Sequence, residues 1–151
     1  MFTFRPVSSR DVAAVCRHRR IMFEEMGWDK AALDPAMASF AVWVEARIAQ
    51  DAYFGFMTEF NGEVIGGIGL MLLDWPPHPF HPASNKRGYI LNVFVEPAFR
   101  RHGLATQLMQ LADEEFRRRG INYIVLHASK QGRPVYERLG WLTSPEMARP
   151  L

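Results

Sequence analysis

Apolar residues recur at two different spacings in the first third of the chain. Residues 2–7 alternate between apolar and polar, which predicts a half-buried strand. Apolar positions over 12–26 follow helical spacing, and Gly27 is expected to end that helix. A second helix is predicted to begin at Asp34-Pro35, because aspartate caps helix starts and proline fits the first helical position.

A hairpin is predicted after these helices. Asn61-Gly62 is the strongest short-range hairpin pattern, and it joins predicted strands at 53–60 and 63–73. Residues 74–86 contain four prolines and two histidines. This composition predicts a long irregular loop, and loops of that length usually carry function.

Strands and helices alternate in the second half of the chain. A strand is predicted at 88–95 and an amphipathic helix at 104–119. A strand buried on both faces follows at 121–126, and a short helix at 134–139. A last short strand begins at 141–142, and 147–151 forms another strand or a tail. The succession of strand, helix and strand predicts a right-handed crossover between two parallel strands.

Together these elements predict an α/β (α+β) fold. We expect one domain over residues 1–151, built on a mixed, mostly antiparallel sheet of six to seven strands with a central parallel pair. About four helices flank this sheet. The abbreviated carboxyl terminus leaves open whether the last strand comes from the chain itself or from the partner in a homodimer.

Composition and charge exclude several classes of protein. The 151 residues are 48% hydrophobic and 23% charged, as in an ordinary globular domain rather than a disordered chain. The single cysteine, Cys16, makes no internal disulfide, and the best position for it is a buried helix face. A net charge of +2 gives no overall attraction to nucleic acid or to acidic membranes. With neither a signal peptide nor an apolar run of membrane-spanning length, we expect a cytoplasmic protein.

A loop between the strand at 88–95 and the helix at 104–119 carries the candidate chemistry. Arg100, Arg101 and Gly103 precede the first helical turn. A helix start presents unpaired N–H groups and a partial positive charge, and glycine lets an anion approach the backbone. The pattern therefore predicts a phosphate-binding loop. It differs from a nucleotide-binding P-loop, because no Lys-Ser or Lys-Thr pair follows Gly103.

In its wider context, this loop resembles the acetyl-CoA motif of the GCN5-related N-acetyltransferase (GNAT) superfamily. The resemblance rests on residues 92–95 (NVFV), 100–105 (RRHGLA), 126–129 (LHAS) and 136–141 (YERLGW). It covers nearly the whole chain. It implies acetyl-CoA as co-substrate, a small-molecule or peptide amine as acceptor, and no metal.

The resemblance also implies a role for individual residues. Backbone N–H groups that would hold the CoA pyrophosphate belong to Arg101, His102, Gly103, Leu104 and Ala105, with Thr106 in support and Arg100 at the border. A splayed or bulged strand would run beside pantetheine at Val93, Phe94 and Val95. One N–H near Phe94 or Val95 would polarise the thioester carbonyl.

Tyr136 is the implied general acid, because it would sit near the sulfur and donate a proton to the departing thiolate. The other reading of Tyr136 is a packing residue on a short helix. Many family members carry an asparagine before this tyrosine; here Ser129 could supply a polar contact and Arg133 a phosphate contact.

The general base is open at this point. Glu96 follows the cofactor strand and is a candidate, although a carboxylate paired with Arg100 or Arg101 is the alternative reading. Weaker candidates are Glu24, Glu25 and the histidines of the 74–86 loop, whereas His127 is expected to pack or hydrogen-bond on its strand.

The prediction is an N-acetyltransferase that transfers acetyl by direct attack of a primary amine. A non-catalytic acyl-CoA sensor of the same fold is the alternative. A metal triad of Asp74, His78 and His81 is disfavoured, because their spacing does not match that of helical metal ligands. Trp28 and Trp75 are candidates to line an acceptor pocket.

Overall fold

The computed structural model describes residues 1–151, which form one five-stranded sheet with helices on both faces. The strands are β1 (Phe2–Pro6), β2 (Phe54–Phe60), β3 (Glu63–Asp74), β4 (Lys86–Val95) and β5 (Ile124–Leu126). The helices are α1 (Val12–Glu25), α2 (Lys30–Ala49), α3 (Leu104–Arg118) and α4 (Arg133–Arg138). Two short 3-10 turns, Ser9–Asp11 and Pro97–Phe99, precede α1 and α3.

The sheet has the order β1-β2-β3-β4-β5, and only β4 and β5 are parallel. The predicted fold class and hairpin are confirmed: Asn61 and Gly62 both have positive φ, of 51° and 85°, as a two-residue hairpin turn requires. The parallel pair lies at the edge of the sheet, however, and not at its centre.

The predicted count of six to seven strands is wrong, because nothing after α4 joins the sheet. Residues 141–151 form no strand, and the two prolines at 145 and 150 carry no N–H for a ladder. Leu142 and Met147 are 90% and 94% exposed, and within this segment the core contact is made by Trp141 at its start.

The strand predicted at 121–126 is shorter and less buried than its apolar run indicated. β5 holds three half-buried residues at the sheet edge. Ile121 instead completes the end of α3: Gly120 has φ +76°, the Gly120 N–H bonds the Arg117 carbonyl at 3.0 Å, and the Ile121 N–H bonds the Phe116 carbonyl at 2.9 Å. An apolar residue after such a glycine packs back on the helix, which explains why Ile121 is buried.

The predicted start of the second helix is also wrong. α2 begins four residues before Asp34, at Lys30, and the Asp29 side chain caps it by accepting from the Ala32 N–H at 2.9 Å. Pro35 lies inside the helix. A good cap and an alanine-rich first turn therefore outweigh the preference of proline for the first helical position.

Two apolar cores sandwich the sheet. The larger lies under α3 and includes Leu108, Ala112 and Phe116, all with no exposed surface. The other lies under α1 and α2. Because strand side chains alternate between faces, Ile90 of β4 belongs to the α3 core and Leu91 packs against the α1–α2 core. The Ile90–Leu91 segment of β4 is thus packed on both faces of the sheet.

Candidate active site

The two parallel strands at the sheet edge pair over only part of the length of β4. β4 pairs with β5 only from Gly88 to Ile90, and the last pair is Ile90 with Leu126. Residues 91–95 of β4 have no strand partner on this side. We call the space beside them the β4–β5 groove. Its closed end is the Ile90–Leu126 pair, and from there β4 leads toward the start of α3.

A bulge in β4 lies near the closed end of this groove. Gly67 is opposite Phe94 and Gly69 is opposite Leu91, so Asn92 and Val93 together face a single residue of β3. Asn92 has φ +54°, in the left-handed region. A bulge turns peptide groups out of the ladder, which leaves them available to a ligand. A bulge is therefore present in the segment expected to run beside pantetheine. It begins at Asn92, one residue before Val93.

Side chains from α1 and from the start of β2 hold the bulge. The Asn92 amide donates to the Tyr53 hydroxyl at 3.0 Å, and Arg19 donates to the Asn92 amide oxygen at 2.8 Å. A Cβ at Gly69 would lie 2.2 Å from the Tyr53 hydroxyl, so only glycine leaves room for this contact. The sequence analysis missed Arg19 and Tyr53; the glycines at 66, 67 and 69, which interrupt the predicted strand at 63–73, are the sequence feature that could have indicated a close approach to β3.

His18 of α1 packs beneath the bulge. Its ring stacks on the Phe94 ring, with ring centres 4.5 Å apart. The His18 residue is 2% exposed, and its Nε2 has no hydrogen-bond partner. It lines a cavity of about 10 Å³ together with Tyr53 and Asn92. Burial, and secondarily the charge of Arg17, lowers the pKa of His18 to about 4. The imidazole is therefore neutral at physiological pH.

This buried histidine predicts a pH-dependent stability. Unfolded His18 has an ordinary pKa near ~6.5, so between pH 6.5 and 4 the unfolded state binds a proton that the folded state does not. Stability then falls as pH falls, by about 2 kcal/mol at pH 5. In urea unfolding at pH 7 and pH 5, His18→Phe is expected to lose less stability on acidification than the parent protein. An equal loss in both proteins would refute the assignment.

The start of α3 has the open backbone geometry of an anion-binding helix start. Gly103 caps the helix at φ +74°, and a Cβ there would meet no atom within 4 Å. The first helical bond runs from the Gln107 N–H to the Gly103 carbonyl at 3.1 Å. The N–H groups of Leu104, Ala105 and Thr106 therefore have no helical acceptor and lie at the positive end of the helix dipole. This arrangement fits a diphosphate.

Side chains of the 100–103 loop hydrogen-bond mainly to neighbouring protein groups. Arg100 Nε donates to the Val95 carbonyl at 2.8 Å, and its Nη2 pairs with Glu25 of α1 at 2.8 Å. His102 Nδ1 lies 3.0 Å from the carbonyls of Phe99 and Arg100, so that nitrogen is the donor. Arg101 is exposed, with φ +67°.

Glu96 lies at the α3 end of the groove. Its carboxylate is ion-paired with Arg17 of α1, so the expected pairing with Arg100 or Arg101 is wrong. The α1 helix packs over β4, and this contact brings Arg17 to the strand end from 79 residues away. Glu96 thus links α1 to the end of β4.

The segment around α4 supplies the other predicted residues. The Tyr136 ring packs against the α3 core and against Trp141, with ring centres 6.3 Å apart, and burial raises the pKa of its hydroxyl. Ser129 accepts from the Gly132 N–H at 3.0 Å, which starts α4. Arg133 donates to Thr143 at 3.2 Å. Ser129 and Arg133 therefore order this segment.

Other candidate groups do not converge on a second site. His78 stacks on His81, with ring centres 5.6 Å apart, while Asp74 pairs with Lys86. No group of three or more His, Cys, Asp or Glu side chains is arranged to hold a metal ion. Cys16 is half-buried in α1, and burial raises the pKa of its thiol. None of the four helices combines the length and the apolar character needed to cross a membrane.

A bulged strand that leads to an open helix start is the arrangement that the resemblance to the GNAT superfamily implies for binding acyl-CoA. The chain belongs to the acetyltransferase (GNAT) family, whose model matches residues 16–141. The family predicted from the sequence is thereby confirmed.

Solved structures agree with this assignment. A GCN5-related N-acetyltransferase from Ralstonia eutropha JMP134 is 44% identical and aligns over 100% of this chain and 99% of that chain, with a TM-score of 0.98. A predicted acetyltransferase from Clostridium acetobutylicum, solved with acetyl-CoA, is 25% identical over 100% and 96% of the two chains, with a TM-score of 0.87.

A curated relative matches over a shorter stretch. The glucosamine 6-phosphate N-acetyltransferase of Trypanosoma brucei brucei is 29% identical over 86 residues, which cover 57% of this chain and 56% of that protein. The match thus spans about half the length of that relative.

Proposed function

We propose that this protein is an N-acetyltransferase that moves the acetyl group of acetyl-CoA to a primary amine by direct attack. The observation that carries the proposal is the path from the Asn92–Val93 bulge, along residues 91–95 that have no partner on the β5 side, to the open N–H groups at the start of α3. The 25% identical relative solved with acetyl-CoA supports it.

In this proposal the backbone does most of the binding. The N–H groups from Arg101 to Thr106 hold the diphosphate, and pantetheine runs beside Val93–Val95. An N–H near Phe94 or Val95 then donates to the thioester oxygen, where negative charge develops during attack. Holding amine and thioester together supplies much of the remaining rate enhancement.

Tyr136 is proposed to donate a hydrogen bond to the departing thiolate. A CoA-like thiol has a pKa near ~8.5 and an ordinary tyrosine a pKa near ~10. Burial raises the pKa of Tyr136 further. Full proton transfer to the thiolate is therefore uphill, and the benefit comes from a hydroxyl that stays protonated and stabilises the negative sulfur.

Glu96 stays a hypothesis for the general base. It lies six residues after the closed end of the groove, roughly 15–20 Å along an extended strand. Glu96 lies on the α3 side of the N–H groups proposed to hold the thioester oxygen, so it would reach an amine that approaches from the closed end only through water.

The acceptor is proposed to be a small-molecule amine, in line with the amino sugar phosphate in the name of the trypanosomal relative. The cytoplasmic location and the homodimer stay predictions of the sequence.

A screen of amines tests the proposal. Purified protein, acetyl-CoA and a panel of glucosamine 6-phosphate, polyamines, aminoglycosides, amino acids and short peptides are assayed for free thiol. At least one amine is expected to accelerate thiol release with formation of its N-acetyl product. If none does, while acetyl-CoA still raises the melting temperature, the non-catalytic sensor replaces the enzyme.

A further inference from the structure

Three side chains form a hydrogen-bonded chain at the closed end of the groove. The Tyr89 hydroxyl lies 2.7 Å from His127 Nδ1, and His127 Nε2 lies 2.8 Å from a carboxylate oxygen of Glu146. The expectation that His127 hydrogen-bonds near its strand is confirmed, and its partners come from β4 and from the segment after α4. Nothing in the proposed function uses this chain.

The chemistry of the three groups sets the direction of the hydrogen bonds. An ionised carboxylate only accepts, so His127 Nε2 carries the proton that Glu146 receives. In the neutral imidazole Nδ1 is then the acceptor, and the Tyr89 hydroxyl must donate to it. The free lone pairs of the Tyr89 oxygen remain available to accept a proton from a third group.

The chain lies at the closed end of the groove, across the bulge from the open helix start that would hold the diphosphate, so an amine would approach the acetyl group from this end. Tyr89 immediately precedes Ile90, and His127 immediately follows Leu126, so both flank the last β4–β5 pair. The bulge at Asn92 begins two residues beyond that pair, roughly 7 Å along the strand. Tyr89 is half-buried and His127 is exposed, which leaves a path from solvent to the Tyr89 oxygen.

Charged groups near Tyr89 act on its hydroxyl. Arg19 of α1, which holds the bulge through Asn92, and Glu146 are the charged groups that act on Tyr89. Burial raises the pKa of Tyr89, so the hydroxyl stays protonated and passes a proton on without ionising.

We propose that Tyr89, His127 and Glu146 form a relay that removes a proton from the acceptor amine, a role that rests on the proposed function. As the amine nitrogen bonds to the acetyl carbon, its proton passes to the Tyr89 oxygen and the Tyr89 proton passes to His127 Nδ1. Glu146 stabilises the imidazolium. The C–S bond breaks, the thiolate keeps the electron pair, and His127 returns its proton to solvent.

Three variants test the relay with the best amine of the panel, and Tyr123→Phe is the matched control. Tyr89→Phe and His127→Gln are each expected to lower kcat about 10²-fold, because general-base help is typically worth 10²–10⁴-fold. Glu146→Gln is expected to cause a smaller loss of about tenfold. The Kd of acetyl-CoA and the melting temperature should not change. The Tyr123 ring stacks on Phe80 apart from the relay, so its variant should retain full activity.

A spectroscopic measurement tests the relay without turnover. The ¹⁵N shifts of the His127 ring should show a proton on Nε2 and none on Nδ1, and this preference should weaken in Glu146→Gln. A proton on Nδ1, or wild-type kcat in all three relay variants, overturns the relay alone. Absence of turnover with every amine in the parent protein overturns the proposed function and the relay with it.

Discussion

Gly103→Leu is expected to weaken acetyl-CoA binding about 10²-fold while the fold persists. The variant side chain would project from a position where a Cβ meets no protein atom within 4 Å, beside the open N–H groups of α3. That space is where a diphosphate would approach. Charge-assisted hydrogen bonds are worth about 1.5–3 kcal/mol each, so the loss of one or two accounts for this change in Kd. Calorimetric titration with acetyl-CoA measures it.

Gly120→Leu is the matched control for this prediction, because it imposes the same backbone strain at the other end of α3. Gly103 and Gly120 have φ of +74° and +76°, and a Cβ at either one has open space. Both variants should lose about 1–2 kcal/mol of stability, but only Gly103→Leu should lose acetyl-CoA affinity. Acetylation from S-acetylpantetheine, which lacks the diphosphate, should be similar in both. Equal acetyl-CoA affinity in the two variants would remove the phosphate seat.

Local patterns were sufficient for the hairpin, for α3 and for the open helix start at Gly103. The Asn61-Gly62 turn and the apolar stripe of α3 depend on neighbours within a few residues, and both are present. The open helix start depends only on a glycine cap and the first helical turn. Where local rules competed, the sequence analysis was wrong: Ile121 completes the end of α3, although its apolar run is typical of a strand.

Contacts distant in sequence could not be predicted in the same way. Arg19 reaches Asn92 across 73 residues, and Tyr53 reaches it across 39. These contacts depend on how α1 crosses β4 and on the place of the bulge, neither of which is encoded in residue spacing. The same holds for Glu146, which meets His127 only because residues 141–151 fold back toward the sheet edge without joining it.

Tyr136→Phe is expected to lower kcat about 10²-fold with no change in the Kd of acetyl-CoA. The phenylalanine ring keeps the packing against the α3 core and Trp141, so the melting temperature should not change. Only the hydrogen bond to the departing thiolate is lost, and donor groups of this kind are worth roughly 10²–10⁴-fold in rate. Steady-state kinetics with the best amine, combined with calorimetric titration, separates the effect on kcat from any effect on binding.

Gly132→Ala tests whether the position of the Tyr136 hydroxyl matters for catalysis. A Cβ at Gly132 would lie 2.9 Å from the Tyr136 ring and 3.2 Å from its hydroxyl, so this variant should displace the side chain without removing it. We expect a kcat between those of the parent protein and Tyr136→Phe. In the double variant, Gly132→Ala should add little, because residues that act through one group are not additive. Full activity in Tyr136→Phe, or losses that multiply in the double variant, would leave Tyr136 as a packing residue and place the thiolate donor elsewhere.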